Sequence, residues 1–327
     1  MAHELDQTTG RTAMAYIATS ATPWHGLGQR VNPDSSVEEW REAAGLNWQA
    51  MRAQVQYEND HLGQLCAFAD KHVLYRSDTH APISVVSSGY QIVQPDSVLE
   101  FFKVLAETGQ FSIETVGAIK AGRRIWALAR VGENAKILDD EVAPYLLLAT
   151  SYDGTMATVA KFTTIRVVCN NTLQASLRNA SGRAQVTVPH SAIFDAKSIR
   201  SDLGIALDSW DEFMIRAKRL ANRKISDAEM DAFLLELIEP PYGKSYTPEQ
   251  VRNGKGYQRI VALFHGGQMG AGQDAINGTA WGALQACTQY VDHEKGRLQD
   301  NRIDNAWFGP GDRLKSKAME ILERVAA

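Results

Sequence analysis

Residues 144–178 constrain the fold more than any other part of the chain, because buried-strand, turn and polar patterns follow one another there without a gap. The apolar run 145–149 is short and opens at Pro144, which is typical of a buried β-strand. Residues 151–154, Ser-Tyr-Asp-Gly, have the composition of a tight turn, since Asp bonds its own backbone and Gly adopts positive φ. Residues 155–162 then alternate weakly. The stretch therefore predicts a strand, a turn and a second strand, followed by a polar cluster.

Before residue 200, short strand patterns dominate and only a few helices are predicted. Ser36 and Glu39 form a capping box at the start of a short helix. Residues 97–108 carry apolar side chains at helical spacing, which predicts an amphipathic helix. The sequence Lys-Ala-Gly at 120–122 lies between two strand patterns and indicates a hairpin.

From about residue 200 the pattern becomes helical, and a second capping box, Ser226 with Glu229, opens one of the helices. Runs of strands followed by runs of helices indicate an α+β fold, with a mostly antiparallel sheet and a few helices first and an all-α part after it. We expect two domains: an α+β core over 1–200 that contains the 144–178 motif, and a helical domain over 201–327.

The composition points to a cytoplasmic protein. No run approaches the roughly 18 to 20 apolar residues that a membrane span needs, and the amino end lacks the basic and apolar regions of a signal peptide. The three cysteines, Cys66, Cys169 and Cys287, are far apart and form no CxxC pair. We therefore expect no membrane association, no disulfide framework and no structural zinc site in a bacterial cytoplasm.

The charge of the chain is unevenly distributed. The formal net charge is −4, but residues 161–224 hold eleven Lys or Arg against five Asp or Glu, so this zone is +6 and the remainder −10. Such a zone is typical of polyanion contact, and it also occurs on surfaces that bind nothing. The chain has no P-loop, dinucleotide-binding, HExxH or GxSxG motif, so no cofactor, metal or catalytic residue is predicted.

The central stretch carries more polar groups than a structural hairpin needs, which suits a nucleic-acid groove. Cations neutralise phosphates, amides and hydroxyls bond phosphate or sugar oxygens, and aromatic rings stack on bases. The candidate nucleic-acid-binding residues are, for phosphates, Arg123, Arg124, Lys161, Arg166 and Arg178; for stacking, Trp126, Tyr152 and Phe162; and for ordering the groove, Asn170 and Asn171. The alternative is that Arg166 and the two asparagines form a buried network between the sheet and the next helix.

Several motifs spread along most of the chain resemble those of a broad family of phage, plasmid and integrative-element proteins that share a domain of unknown function. These motifs are Pro23-Trp24-His25-Gly26-Leu27-Gly28, Tyr90-Gln91-Ile92-Val93-Gln94, Trp126-Ala127-Leu128-Ala129, Tyr145-Leu146-Leu147, Ser151-Tyr152-Asp153-Gly154-Thr155, Arg166-Val167-Val168-Cys169-Asn170-Asn171-Thr172-Leu173, Thr279-Ala280-Trp281-Gly282-Ala283 and Tyr290-Val291-Asp292-His293.

The family usually has His where this chain has Tyr152, so the resemblance implies stacking or hydrogen bonding there and no catalysis. The order of elements is similar to the hairpin and helix core of single-strand annealing proteins such as Redβ and RecT, a fold-level analogy.

We therefore expect an ATP-independent protein of a phage or mobile element that binds and anneals single-stranded DNA during recombination or replication. It would act as a homo-oligomer without enzymatic activity, with host or phage replication and recombination proteins as candidate partners of its helical part. One alternative is an enzyme acting on nucleotides or nucleic acid, with His25, Asp153 and His190 brought together around a metal. The other is a protein that binds and disables a host factor.

Overall fold

The computed structural model describes residues 5–17, 27–106, 111–166, 172–174, 185–199, 208–241, 243–267, 273–296 and 302–327. In these ranges the main sheet has nine strands, in the order β11-β10-β9-β7-β6-β1-β2, while β12 also pairs with β10 and β8 with β9. They are β1 Met14–Ile17, β2 Gln29–Val31, β6 Phe111–Ile119, β7 Arg124–Val131, β8 Ala135–Ile137, β9 Asp140–Ser151, β10 Thr158–Arg166, β11 Thr172–Gln174 and β12 Gln185–Val188.

Neighbouring strands of the main sheet are antiparallel, except that β1 and β2 run parallel. The predicted buried strand is β9, in which nearly every side chain is buried because the sheet is covered on both faces. The predicted hairpin joins β6 to β7, and Lys120, Ala121 and Gly122 in its turn all have positive φ.

A smaller, three-stranded antiparallel sheet has the order β3-β4-β5. Its strands are β3 Ala50–Asn59, β4 Gln64–Arg76 and β5 Pro82–Ser87. Strands β3 and β4 form one long hairpin, and β5 pairs only with the second part of β4, from Lys71 to Tyr75. The outer half of this hairpin is therefore a two-stranded ribbon.

The helices lie mainly in the second half of the chain, which confirms the predicted α+β class. They are α1 Val37–Ala43, α2 Pro95–Ala106, α3 Asp208–Asn222, α4 Asp227–Leu237, α5 Pro248–Arg252, α6 Lys255–Ala262, α7 Gln273–Ile276, α8 Ala280–Gln289, α9 Arg302–Phe308 and α10 Pro310–Ala326, with π-helical turns at Leu263–Gly267 and Tyr290–Glu294. Within the part of the chain that the structure describes, no helix is long and apolar enough to cross a membrane.

Both predicted capping boxes are confirmed. At the start of α1, the Ser36 hydroxyl accepts from the backbone N–H of Glu39 at 3.2 Å, and the Glu39 carboxylate accepts from the backbone N–H of Ser36 at 2.8 Å. Ser226 and Glu229 make the same reciprocal pair at the start of α4. Each box satisfies two backbone donors that the first helical turn leaves without a partner.

The helical half packs on both faces of the main sheet. One face shares a large hydrophobic cluster with α2, α3, α8 and α10, and the other face packs Trp126 and Leu147 against Trp307 of α9. The first cluster contains residues from both sides of position 200, such as Leu148 and Trp281. The division into two domains stays a prediction, but the two parts share this core.

Candidate functional site

The turn between β9 and β10, residues 151–157, is rich in polar groups, and we call it the polar turn. The Ser151 hydroxyl donates to the Met156 carbonyl at 2.7 Å and accepts from the Met156 N–H at 3.2 Å. Asp153 accepts from the backbone N–H of Thr155 at 3.0 Å and from its hydroxyl at 2.5 Å, and Gly154 adopts a φ of +71°. The predicted turn chemistry at Asp153 and Gly154 is confirmed.

Residues distant in sequence hold the polar turn from three sides. The Tyr90 hydroxyl donates to the Ser151 carbonyl at 2.6 Å, and the Arg124 guanidinium donates to the Thr155 hydroxyl at 2.8 Å. The His190 ring stacks on Tyr90 with centroids 4.4 Å apart. Its Nδ1 lies 3.0 Å from the Gln91 carbonyl and its Nε2 lies 3.2 Å from the Met156 carbonyl. A neutral imidazole has a single N–H and donates to only one of these two oxygens.

The electrostatics of the polar turn do not suit acid–base chemistry near pH 7. Burial alone would raise the pKa of Asp153, but hydrogen bonds from Thr155 and Ser151 and the charge of Arg124 together lower that pKa below its ordinary value. Burial raises the pKa of Tyr90, and the nearby charge of Asp153 raises it further. Asp153 is therefore a carboxylate and Tyr90 a neutral phenol near pH 7, and both lie far from the pKa that suits a general base or acid at that pH.

The three aromatic rings expected to stack on bases are buried, which corrects that prediction. Trp126 and Tyr152 are 0% exposed and Phe162 is 4% exposed. The Tyr152 hydroxyl donates to the Val93 carbonyl at 2.8 Å, and Trp126 packs edge-to-face on Trp307. The sheet is covered on both faces by other parts of the chain, so these rings fill the core and present no face to a ligand.

Two of the predicted phosphate-binding cations are also buried, and both bind carboxylates of the helical half. Arg124 pairs with Asp304 of α9. Lys161 donates to the Trp307 carbonyl at 2.9 Å and to Asp312 of α10 at 3.1 Å. Burial lowers the pKa of Lys161, and the charge of Asp312 opposes that shift. We therefore reassign Arg124 and Lys161 from phosphate contact to holding the helices on the sheet.

Arg123 is exposed beside the polar turn, but the structure does not bring it close to Arg166. On β9, Ser151 pairs with Arg124 and Val142 pairs with Arg166. Those two positions are nine residues apart on β9, which corresponds to about 30 Å of extended strand. Arg123 and Arg166 therefore lie towards opposite ends of the sheet and do not line one groove.

The remaining predicted residues cannot be placed. Asn170, Asn171 and Arg178 lie outside the described residues, as do Trp24 and His25. The proposed buried network of Arg166 with the two asparagines therefore stays a prediction. For the enzymatic alternative, Asp153 belongs to the polar turn and His190 contacts that turn, whereas His25 lies outside the described residues. Among the described residues, no three His, Cys, Asp or Glu side chains come together as metal ligands.

The outer edge of β10 shows a feature that residue-by-residue reading missed. The chain has 38 Asp and Glu, yet none occurs from Gly154 to Phe194. Within this acid-free stretch, β11 and β12 pair with the same edge of β10, at Thr163↔Gln174 and Lys161↔Gln185. Gln174 and Gln185, the residues on either side of the connection 175–184, therefore pair with β10 positions two residues apart. The connection carries Arg178 and Arg183. Measuring the spacing between acidic residues would have revealed the stretch.

A comparison with protein families identifies what kind of chain this is. The model described as a domain of unknown function, DUF932, matches residues 82–307, which is well over half of the chain. The chain belongs to this family. No curated protein and no solved structure matches it. The matched region of the DUF932 family runs from the start of β5 to α9. It contains the polar turn, the acid-free stretch and the Arg124–Asp304 ion pair, and it excludes β3, β4 and Asp312, the partner of Lys161.

Proposed function

We propose that this protein binds and anneals single-stranded DNA without ATP, during recombination or replication of a phage or other mobile element in a bacterial cytoplasm. The observation that carries the proposal is the acid-free stretch 154–194 along the outer edge of β10. A polyanion approaching this edge meets cations and polar groups without an opposing carboxylate from the same stretch. This is the charge arrangement that favours phosphate binding.

The phosphate contacts in this proposal move to the arginines of the stretch. Arg166 ends β10, and Arg178 and Arg183 lie in the connection between β11 and β12. The amides of Asn170 and Asn171, in the connection between β10 and β11, supply donors and acceptors for phosphate and sugar oxygens. Because Lys161 and Arg124 neutralise carboxylates of the protein itself, they are excluded from this set.

The burial of the aromatic rings is compatible with annealing. An annealing protein must hold the DNA backbone while the bases stay available for pairing with a second strand. Trp126, Tyr152 and Phe162 contribute no stacking platform, so binding would rest on phosphate contacts. Such binding is strongly dependent on salt and nearly independent of sequence. The chain also lacks the P-loop motif that nucleotide hydrolysis commonly uses, which fits an ATP-independent reaction.

The experiment is a fluorescence-anisotropy titration with a labelled single-stranded oligonucleotide at several salt concentrations, with duplex DNA as the comparison. The test variant is Arg178→Ala/Arg183→Ala. The matched control is Lys218→Ala/Arg219→Ala, which removes two exposed cations of α3. We expect the test variant to bind single strands roughly tenfold more weakly and to reduce the slope of log affinity against log salt by about 1.4, while the control stays close to the wild type.

A second assay follows the annealing of complementary oligonucleotides without nucleotide. The wild type should accelerate duplex formation and the test variant should not. The proposal fails if the wild type binds neither single-stranded nor duplex DNA at low salt. Equal effects of the two double variants would remove the assignment to the acid-free stretch.

A further inference from the structure

The small sheet exposes an unusual amount of apolar surface. Within the described ranges, six of the large apolar side chains with high exposure lie between positions 51 and 85. They are Met51, Tyr57, Leu62, Leu65, Phe68 and Val85, with exposed fractions from 38% to 66%. Single exposed apolar residues are normal on protein surfaces, whereas a contiguous group marks a contact surface.

The strand register places three of these side chains, Met51, Tyr57 and Val85, on one face. Met51 lies opposite Tyr75, Ala53 opposite Val73, and Tyr57 opposite Cys66, while Val85 lies next to Val73 on the other side. We call this set, with Val55 between Ala53 and Tyr57, the apolar hairpin face. The side chains that alternate with it on β3 are Arg52, Gln54, Gln56 and Glu58.

The apolar hairpin face lies on the side of the small sheet that usually carries polar residues. Leu74, which lies opposite Arg52, and Val86 are buried against the body of the protein, so the apolar hairpin face points away from the body. A one-sided antiparallel sheet normally presents polar residues on its outward face. The outward face here has the composition of an interface.

The outer edge of β3 is open for pairing. The backbone N–H of Ala50 donates to the Gln94 side chain at 2.9 Å, and the Ala50 carbonyl accepts from the same amide at 3.1 Å. The hydrogen-bonding groups of Ala50 therefore point away from β4. The register with β4 shifts between Gln54 and Gln56, where β4 has three more residues than β3, while β3 itself is one extended strand from Ala50 to Asn59. Backbone direction alternates along an extended strand, so the groups of Arg52, Gln54, Gln56 and Glu58 point the same way. Among the described strands, only β4 pairs with β3. A long open edge of this kind is a template for another strand.

We propose that β3 pairs antiparallel with β3 of a second copy of this chain, about a two-fold axis at Val55. In this register Arg52 of each copy lies opposite Glu58 of the other copy, and Gln54 of each copy lies opposite Gln56 of the other. The backbone groups of these four residues all point into the new ladder. On the apolar hairpin face, Val55 meets Val55 and Ala53 meets Tyr57 across the strands, and such cross-strand pairs stabilise a sheet.

The complementarity of β3 to itself favours a second copy over another occupant. Sliding the register by two residues along the strand places Glu58 opposite Ala50 or opposite Gln54, so only the register centred on Val55 joins Arg52 to Glu58. The Arg52 guanidinium donates to the carbonyls of Ser88 and Tyr90, which fixes its position and uses only part of its five donors.

Charge argues against nucleic acid at this edge. From residue 51 to residue 71 the hairpin carries Glu58, Asp60 and Asp70 against Arg52 and Lys71, so acids outnumber cations. The surface also lies outside the acid-free stretch, and the proposed pairing does not depend on DNA binding.

The test is disulfide trapping in a Cys66→Ser background, with Val55→Cys as the test variant. At the two-fold axis the two Val55 positions form a non-hydrogen-bonded pair with Cα atoms about 4.5 Å apart, which is within disulfide range. The matched control is Gln54→Cys, whose counterpart lies diagonally across the ladder, about 7–8 Å away and beyond that range. The Cys66→Ser parent gives the background from Cys169.

We expect Val55→Cys to form a covalent dimer under mild oxidation at least tenfold faster than Gln54→Cys. A mixture of Ala53→Cys and Tyr57→Cys proteins should crosslink while neither crosslinks alone. Sedimentation of the wild type should show a dimer. Glu58→Arg places two guanidinium groups opposite each other at both ends of the ladder, so it should raise the dissociation constant of the dimer at least tenfold. A monomeric wild type overturns the proposal. A dimer in which Val55→Cys crosslinks no faster than Gln54→Cys overturns this interface.

Discussion

The indole N–H of Trp281 donates to the Asp140 carboxylate at 2.9 Å, and both side chains are 0% exposed. Trp281 lies in α8 and Asp140 begins β9, so this bond joins the helical half directly to the start of a strand of the main sheet. A buried carboxylate is tolerated only when donors surround it. The buried Asp140 carboxylate therefore receives this hydrogen bond only when α8 packs correctly on the sheet.

Trp281→Phe tests this hydrogen bond, because it keeps an aromatic ring and removes the donor. We expect a loss of roughly 1.5–3 kcal/mol in the free energy of unfolding, since a buried charged acceptor loses a hydrogen bond. Urea unfolding followed by circular dichroism gives the value. Trp210→Phe is the matched control, since Trp210 is only partly buried on α3 and stacks on Phe213. Equal losses in the two variants would assign the effect to ring size alone.

The ion pairs between sheet and helices show where sequence reasoning stops. Capping boxes such as Ser36 with Glu39 were predicted because both partners are three residues apart. Lys161 and Asp312 are 151 residues apart, and no local pattern reveals that the lysine is neutralised inside the protein. The same distance problem applies to Trp126, whose partner Trp307 belongs to α9. Local chemistry thus predicted the elements and their ends, whereas the accessibility of each candidate residue depended on contacts that only the fold creates.

Lys161→Met separates a structural role from a binding role. The substitution leaves the Asp312 carboxylate and the Trp307 carbonyl without this donor, so we expect roughly 1.5–3 kcal/mol lower stability. Once the folded fraction is taken into account, binding to single-stranded DNA should match the wild type. Arg178→Ala should behave in the reverse way, with weakened binding and unchanged stability. The reassignment of Lys161 is wrong if the folded Lys161→Met protein binds DNA as weakly as Arg178→Ala.

Tyr152→Phe tests the corrected role of the turn tyrosine. Its hydroxyl donates to the Val93 carbonyl in a fully buried site, so removal should cost about 1 kcal/mol of stability and leave DNA binding unchanged. The matched variant Tyr246→Phe, at an exposed position before α5, should leave stability within about 0.5 kcal/mol of the wild type. Thermal unfolding and anisotropy on the same preparations provide both readouts. A selective loss of binding in Tyr152→Phe would restore a ligand contact for this hydroxyl.

The fork between Arg76 and Asp78 predicts a defined dependence of stability on pH. Arg76 is buried, and it donates to the two carboxylate oxygens of Asp78 at 2.9 Å and 2.7 Å and also pairs with Asp6. The hydrogen bonds from Arg76 lower the pKa of Asp78 below its ordinary value. For an acid with a lowered folded pKa, the stabilisation is complete above the unfolded pKa of about 4 and is lost as the pH falls through the folded pKa.

Asp78→Asn should therefore be less stable than the wild type by about 1–2 kcal/mol at pH 7 and at pH 5. The difference should begin to shrink below about pH 4, where the carboxylate of the unfolded chain takes up a proton. It should be lost as the pH falls through the lowered pKa of Asp78 in the folded protein, where the carboxylate in the fork with Arg76 is protonated as well. Urea unfolding at pH 7, 5, 3.5 and 3 measures the difference, with Asp34→Asn, an exposed carboxylate, as the control that should stay near zero throughout. A difference that is the same at pH 3 and pH 7 would mean that Asp78 acts through shape, and that its charge contributes nothing to the fork.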